Sequence, residues 1–304
     1  MYRCFHLIII FLVFLGVLLL PPQLAWAQEW RPVGSGIVSG ISGMALVAQQ
    51  NNTLDLLIVH DSKQKNQGRL AIMTIKGKQQ PEYLPLNWPS NIELPKDLEA
   101  VTSIPGNPKT AFMAVSSWGK VYDIRIELPS KTVTVLKEFN LPKIPLGSNF
   151  ESFALQNIDG ILVAVWADRG AGDKPATLDW GLIDLANDQI TPIGTAKVRV
   201  PFPEGNVRHI SDLKVDPAGT VFICAASDGG DNGPYQSAVY VAGSLGVDDH
   251  KLVWRQNLQL VPLYRSAYHK IEGLELIPGA AGGVILGTDD ENFGSSVYIL
   301  GASS

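Results

Sequence analysis

The chain has 304 residues, 46% of them hydrophobic and 17% charged, with a formal net charge of −5. That length suffices for one large core, and the acidic balance offers no basic face to a nucleic acid.

Arg3 is followed by an apolar run over 4–20, then by Pro21, Pro22 and the small-residue stretch Ala25-Trp26-Ala27. This order predicts a secretory signal peptide over 1–27 and a single mature domain over 28–304. The expected location is periplasmic or extracellular, with no membrane attachment once the signal is cleaved. The alternative is a retained anchor, because the apolar run is nearly long enough to span a bilayer. Cleavage removes Arg3 and Cys4, taking the formal charge from −5 to −6 and leaving Cys224 as the sole cysteine. A disulfide framework is thereby excluded. Cys224 lies in the apolar run 221–226 and reads as a buried, inert thiol.

Beyond the signal, five segments share one form: an apolar residue, then Ser or Glu, then any residue, then a second apolar residue. They are centred on Ser42, Glu99, Glu151, Ser211 and Glu272, spaced 57, 52, 60 and 61 residues apart. Periods of that length indicate propeller blades. An apolar, β-branched-rich run follows each copy, over 56–59, 111–115, 161–165, 221–225 and 283–286, and leads to Asp61, Ser116, Asp168, Asp228 or Asp289. The offset from the Ser or Glu is 17 residues in four copies and 19 in the first. Third strands are predicted over 70–73, 121–124, 180–183, 238–241 and 297–300, with weaker fourth strands over 83–86, 132–136, 190–195 and 252–256. The fifth copy lacks a fourth strand, and residues 29–34 are expected to supply it. The fold class is therefore all-β, a five-bladed β-propeller closed by an N-terminal strand in the last blade.

In such a ring the start of each inner strand and the end of each second strand share a face. Ser42, Glu99, Glu151, Ser211 and Glu272 are expected around the channel mouth, with Asp61, Asp168, Asp228 and Asp289 one step further out. Carboxylates converging on a narrow channel repel each other, and a hard cation relieves the repulsion. Calcium is the expected metal, held by the inner five. Against this stands a plainer reading, in which inner polar groups satisfy backbone or channel water and the outer aspartates shape turns. No zinc-type Cys/His spacing and no Walker loop is present.

The inner order Ser42, Glu99, Glu151, Ser211, Glu272 resembles the calcium-activated nucleotidases (apyrases). The segments Asp97-Leu98-Glu99 and Ile271-Glu272-Gly273 look like blade openings of phytase-like esterase propellers. The resemblance implies a five-bladed ring with a central calcium and action on phosphorylated small molecules.

Two functions follow as expectations. One is a calcium-dependent hydrolase of phosphate esters or anhydrides, with Asp168 or Asp228 as candidate base and Asp61, Trp166, Arg169, Arg208 and Asp289 as candidate ligand contacts. Lys174 is a further candidate cation, and the loop from Trp166 to Asp173 is the best single functional segment, joining an aromatic, acids and a cation with glycines. The other is a non-catalytic monomeric propeller that binds a small ligand or a protein partner, with calcium as a structural clamp.

Overall fold

The computed structural model describes residues 29–107, 109–279 and 282–301; the predicted signal peptide lies outside them. No described helix is long and apolar enough to cross a membrane. Strand β1 (Arg31–Gly34) precedes the ring. The first blade is β2 (Gly43–Gln50), β3 (Thr53–Val59), β4 (Leu70–Lys76) and β5 (Glu82–Pro85), and the second is β6 (Leu98–Ser103), β7 (Ala111–Ser116), β8 (Lys120–Glu127) and β9 (Thr132–Asn140). The third comprises β10 (Phe150–Ile158), β11 (Ile161–Asp168), β12 (Ala176–Asp184) and β13 (Gln189–Val198). Strands β14 (Val207–Val215), β15 (Thr220–Ser227), β16 (Ser237–Asp248), β17 (Lys251–Gln256) and β18 (Tyr264–Ser266) form the fourth. The fifth is β19 (Ile271–Leu276), β20 (Val284–Thr288) and β21 (Ser295–Leu300), completed by β1.

This is the five-bladed propeller expected from the repeat, and its closure is the expected one. Arg31 pairs with Val297 and Pro32 with Ser296, so the first strand of the described chain seals the last blade. Proline is tolerated at Pro32 because β1 is an outermost strand. The outer edge of the fourth blade has a feature that the sequence did not announce. The 12-residue β16 is long enough to take β17 along its C-terminal half and β18 along its N-terminal half. A three-residue strand carries too little periodicity to be read in advance.

Each blade buries both faces against its neighbours, which is why inner strands read as nearly continuous apolar runs rather than as clean alternation. Five separate apolar clusters result, one for each interblade contact. Leu57, Val59, Val101 and Phe112 join blades one and two, and Val115, Phe153 and Trp166 join two and three. Cys224 lies in the cluster with Val239, Leu274 and Leu286 between blades four and five, fully buried as expected of an inert thiol. Burial pushes its thiol far up.

Polar latches on the inner strands tie the blades together. The Glu275 carboxylate accepts the Leu46 N–H at 3.0 Å, and Thr102 Oγ1 accepts the Leu155 N–H at 3.2 Å. Lys214 Nζ donates across the axis to the Val101 carbonyl at 3.0 Å. Asp212, fully buried, accepts the Leu213 and Leu274 N–H groups at 2.7 Å each. Burial raises its carboxyl to about 7, although Lys214 and both N–H groups pull the other way. An acid whose pKa is raised by folding holds its proton more tightly in the native state, so its contribution is present at low pH and fades as pH rises toward 7. Denaturant titrations between pH 4 and 7.5 are expected to show a flatter stability profile in Asp212→Asn than in the native chain. An unchanged slope would show that Asp212 does not titrate in this window.

Candidate metal and ligand site

The repeated Ser or Glu is placed by a backbone irregularity. Pairing of β6 with β7 skips from Leu98 to Ala100, that of β10 with β11 from Phe150 to Ser152, and that of β19 with β20 from Ile271 to Gly273. Glu99, Glu151 and Glu272 are the skipped residues. A β-bulge leaves one residue out of the ladder and re-aims its side chain, and here three bulges in three blades bring three carboxylates into mutual electrostatic range. In these three repeats the two residues set between the apolar positions, as in Leu98-Glu99-Ala100-Val101, are the trace of that bulge in the sequence.

The five inner residues do not behave alike. Ser211 Oγ donates to the Ile271 carbonyl at 2.7 Å, and Ser42 Oγ accepts the Asp61 N–H at 3.2 Å, so both hydroxyls serve the backbone. Arg208 enters between the acids: Nη1 lies 2.5 Å from Glu272 and 3.5 Å from Glu151, and Nη2 lies 3.2 Å from Asp228. Arg169 adds a second contact to Glu151 at 3.2 Å, and Lys270 reaches Glu272 at 3.3 Å and also pairs with Glu291. On this side of the mouth protein cations already compensate the carboxylates. Burial works against the charge on Arg208, but Glu272, Glu151 and Asp228 outweigh it and hold the guanidinium charged. A five-ligand ring around one ion therefore does not fit these residues as they stand.

The opposite side differs. Asp61, Asp97 and Glu99 offer ligand atoms that all lie within 4.8 Å of one another. Asp97 pairs with Lys63 at 2.9 Å through Oδ1 and accepts the Ser117 hydroxyl through Oδ2. Its φ of 62° is in the left-handed region that Asp tolerates, and this turns it into the cluster directly before β6. Glu99 is 7% exposed and has neither hydrogen bond nor ion pair among the described residues. Burial, followed by Glu151 and Asp61, drives its carboxyl well above the ordinary range. Asp61 rises to about 6, through burial and then Glu272, opposed by Lys63. Three converging oxygens with one lysine, largely exposed, at their edge suit a hard divalent ion.

The other expected residues fall as follows. Asp168 caps the adjoining loop, accepting the Asn149 N–H at 2.8 Å and the Gly170 N–H at 3.1 Å. For Asp228, burial raises the pKa but Arg208 prevails and holds it below the usual carboxylate range, which makes it a weak base. Asp289 is buried and accepts the Glu291 N–H at 3.1 Å, with its carboxyl pushed far up by burial and Glu272. It packs so closely on Gly40 that a Cβ there would lie 2.2 Å from its Oδ1. Trp166 is not at the mouth: it is 2% exposed in the core between blades two and three, because β11 is covered on both faces and an indole there is needed for packing. His60 is buried, bonded to the Gly40 carbonyl at 2.6 Å and to the Tyr83 hydroxyl at 3.0 Å, and so plays a structural part.

A cavity of about 300 Å³ adjoins the cluster, lined by Asp97, Ser117, Trp118, Asn149, Arg169 and Lys174 among others. Arg169 and Lys174 were expected here. Asp97, Lys63 and Trp118 were not assigned beforehand. Asp97 stands in the repeat two residues before Glu99 and was legible as a second acid, whereas nothing in the pattern marked Lys63 or Trp118.

No described protein family matches the sequence, and no curated protein matches it. Solved structures do. A GH43 protein of a Bacteroides ovatus xyloglucan locus aligns with a TM-score of 0.50 and 12% identity, covering 89% of this chain and 54% of that one. This chain thus spans about half the length of that neighbour. The α-L-arabinofuranosidase of Podospora anserina aligns with a TM-score of 0.51 and 12% identity over 91% of this chain and 97% of that one. A GH32 β-fructofuranosidase of Bombyx mori gives 0.52 and 10% identity over 90% and 61%. At such identities the likeness establishes the five-bladed architecture and nothing finer.

Proposed function

We propose that this is an exported, divalent-cation-dependent hydrolase of phosphate esters or anhydrides, with the ion, calcium by preference, held by Asp61, Asp97 and Glu99. The observation that carries this reading is Glu99, a buried carboxylate without a partner that faces two further carboxylates. Burying an uncompensated acid costs several kcal/mol, and a cation in contact with it removes that cost. When bound, such an ion supplies Lewis-acid polarisation of a phosphoryl oxygen. Arg169 and Lys174 are the cations on the wall of the adjoining cavity; Lys174 is 62% exposed with Asp168 3.7 Å away, and Arg169 adds charge while still in contact with Glu151, so both can orient the anion. Ser117 positions Asp97 through its hydroxyl, and Arg208 keeps Glu151 and Glu272 from competing for the same ion.

The phosphate part of the reading rests on the cations beside the carboxylate cluster; the resemblance to calcium-activated nucleotidases suggested it, but of the inner five only Glu99 is kept as an ion ligand, and export rests on the apolar run at 4–20. The structural neighbours named as glycosidases raise a different chemistry, which the glycoside in the screen below tests directly.

The test is a turnover screen of metal-stripped protein with 4-nitrophenyl phosphate, nucleoside di- and triphosphates and 4-nitrophenyl arabinofuranoside, with calcium, magnesium or manganese added back. Phosphate release that appears with the cation and vanishes with chelator is the expected result. Silence on every phosphate compound, or glycoside cleavage indifferent to chelator, would overturn the proposal.

A further inference from the structure

Trp118 is 69% exposed, and it does not owe this exposure to a loose loop. It stands at the tip of the turn from β7 to β8, where the Gly119 N–H closes back on the Ser116 carbonyl at 2.8 Å. Gly119 has a φ of 80°, and a Cβ there would meet Ile144 at 2.9 Å and the Phe150 ring at 3.1 Å, so the turn is packed down at its base. Its middle is clamped as well: the Ser117 N–H donates to the Asp97 carbonyl and the Ser117 carbonyl accepts the Phe150 N–H, each at 2.9 Å. The backbone that carries Trp118 is thus clamped, and its side chain stands on the wall of the cavity that begins at the carboxylate cluster.

That cavity has a sequence of chemistries along its wall. Asp97 marks the cation end, Arg169 (3.2 Å from Glu151) and Lys174 (3.7 Å from Asp168, its side chain 62% exposed) bring positive charge, and Trp118 provides an apolar face. A single exposed tryptophan is unremarkable on a protein surface. One carried on a clamped turn beside cationic side chains at a cavity wall is a recognition element, because an indole has only two side-chain torsions to order when it stacks on a flat ring. The volume, about 300 Å³, sits at the small end of ligand pockets and suits one ring with a short anionic group.

We infer that this cavity binds a flat-ringed anion, with Trp118 stacking on the ring and Arg169 and Lys174 meeting the negative charge. The anionic half rests on the phosphate reading above; the ring half stands on Trp118 alone.

The experiment is calorimetric titration of the calcium-saturated protein with phenylphosphonate, methylphosphonate and phenyl β-glucoside, repeated for Trp118→Ala and Trp118→Phe. Phenylphosphonate is expected to bind about tenfold more tightly than methylphosphonate. In Trp118→Ala the ratio should fall to about two or less, and in Trp118→Phe most of it should survive. Thermal melting should be the same in all three proteins, since the side chain supports no core. A ratio near one in the native protein, or a ratio that persists in Trp118→Ala, overturns the inference. If neither phosphonate binds but phenyl β-glucoside binds in a Trp118-dependent way, the stacking site stands and the phosphate reading falls. If none of the three binds, both fall.

Discussion

Glu99→Gln is expected to abolish cation-dependent turnover and, in the same protein, to raise the melting temperature measured in chelator. The two effects have one origin. In the native chain Glu99 is buried with no bonding partner, and Asp61, Glu151 and Glu272 all oppose its ionisation. Gln keeps the shape and removes the charge, so the apo fold no longer bears that repulsion; a gain of about 2–4 °C is the scale for roughly 1 kcal/mol in a chain of this size. The cation site, however, loses one of three carboxylates. An ion present at a hundred times its Kd stabilises a fold by about 2.7 kcal/mol, and Glu99→Gln should forfeit nearly all of that shift. Melting curves with chelator and with calcium decide the matter. A calcium shift that survives the substitution would place the ion elsewhere, and a lower melting temperature in chelator would mean that Glu99 has a structural partner.

Arg208→Met should be the most destabilising substitution at the mouth, by about 3–5 kcal/mol at neutral pH, the usual cost of stranding buried charges. Arg208 is in contact with Glu151, Glu272 and Asp228 from three different blades, and its side chain is 14% exposed. Arg208→Lys should recover only part of the loss, because one ammonium cannot reproduce a planar fork that spans three carboxylates. The defect should also depend on pH. Burial already raises the Glu151 carboxyl against the pull of Arg208, and without the guanidinium it would rise further. A raised acid favours the folded state at low pH and loses that advantage as pH increases, so the variant should regain stability between pH 7.5 and 5. Urea titrations at the two pH values measure it. A loss below about 1 kcal/mol would show that Arg208 is dispensable as counter-ion.

Both predictions turn on residues whose roles were unevenly legible beforehand. Glu99, Glu151 and Glu272 could be picked out because three blades share the same bulge and all five share the residue pattern around it, so the geometry is written into the sequence more than once. Arg208 was a candidate ligand contact; its bridging of Glu151, Glu272 and Asp228 has no counterpart in the other blades, so no periodicity could reveal it. Trp166 misled for a related reason. It stands beside acids, glycines and a cation in the chain, yet it lies inside β11, where the neighbouring blade covers it, while Asp168 ends that strand and Arg169 follows it on the cavity wall. Trp118 went unnoticed because a lone aromatic in a turn carries no pattern.

The order of strands and the number of blades could be read from the chain, because each depends on apolar runs and turn residues that act within a few positions of each other; closure by β1 followed from the count, the fifth repeat lacking the strand that residues 31–34 supply. Which acids are neutralised and which stay unpaired depended on distances between blades. Arg208 lies 64 residues from Glu272 and 57 from Glu151 along the chain, and Lys63 meets Asp97 only because blades one and two abut. Electrostatic energy falls with separation in space, not along the sequence, so which side of the mouth has its carboxylates paired with cations and which leaves Glu99 without a partner among the described residues was settled only when the ring closed.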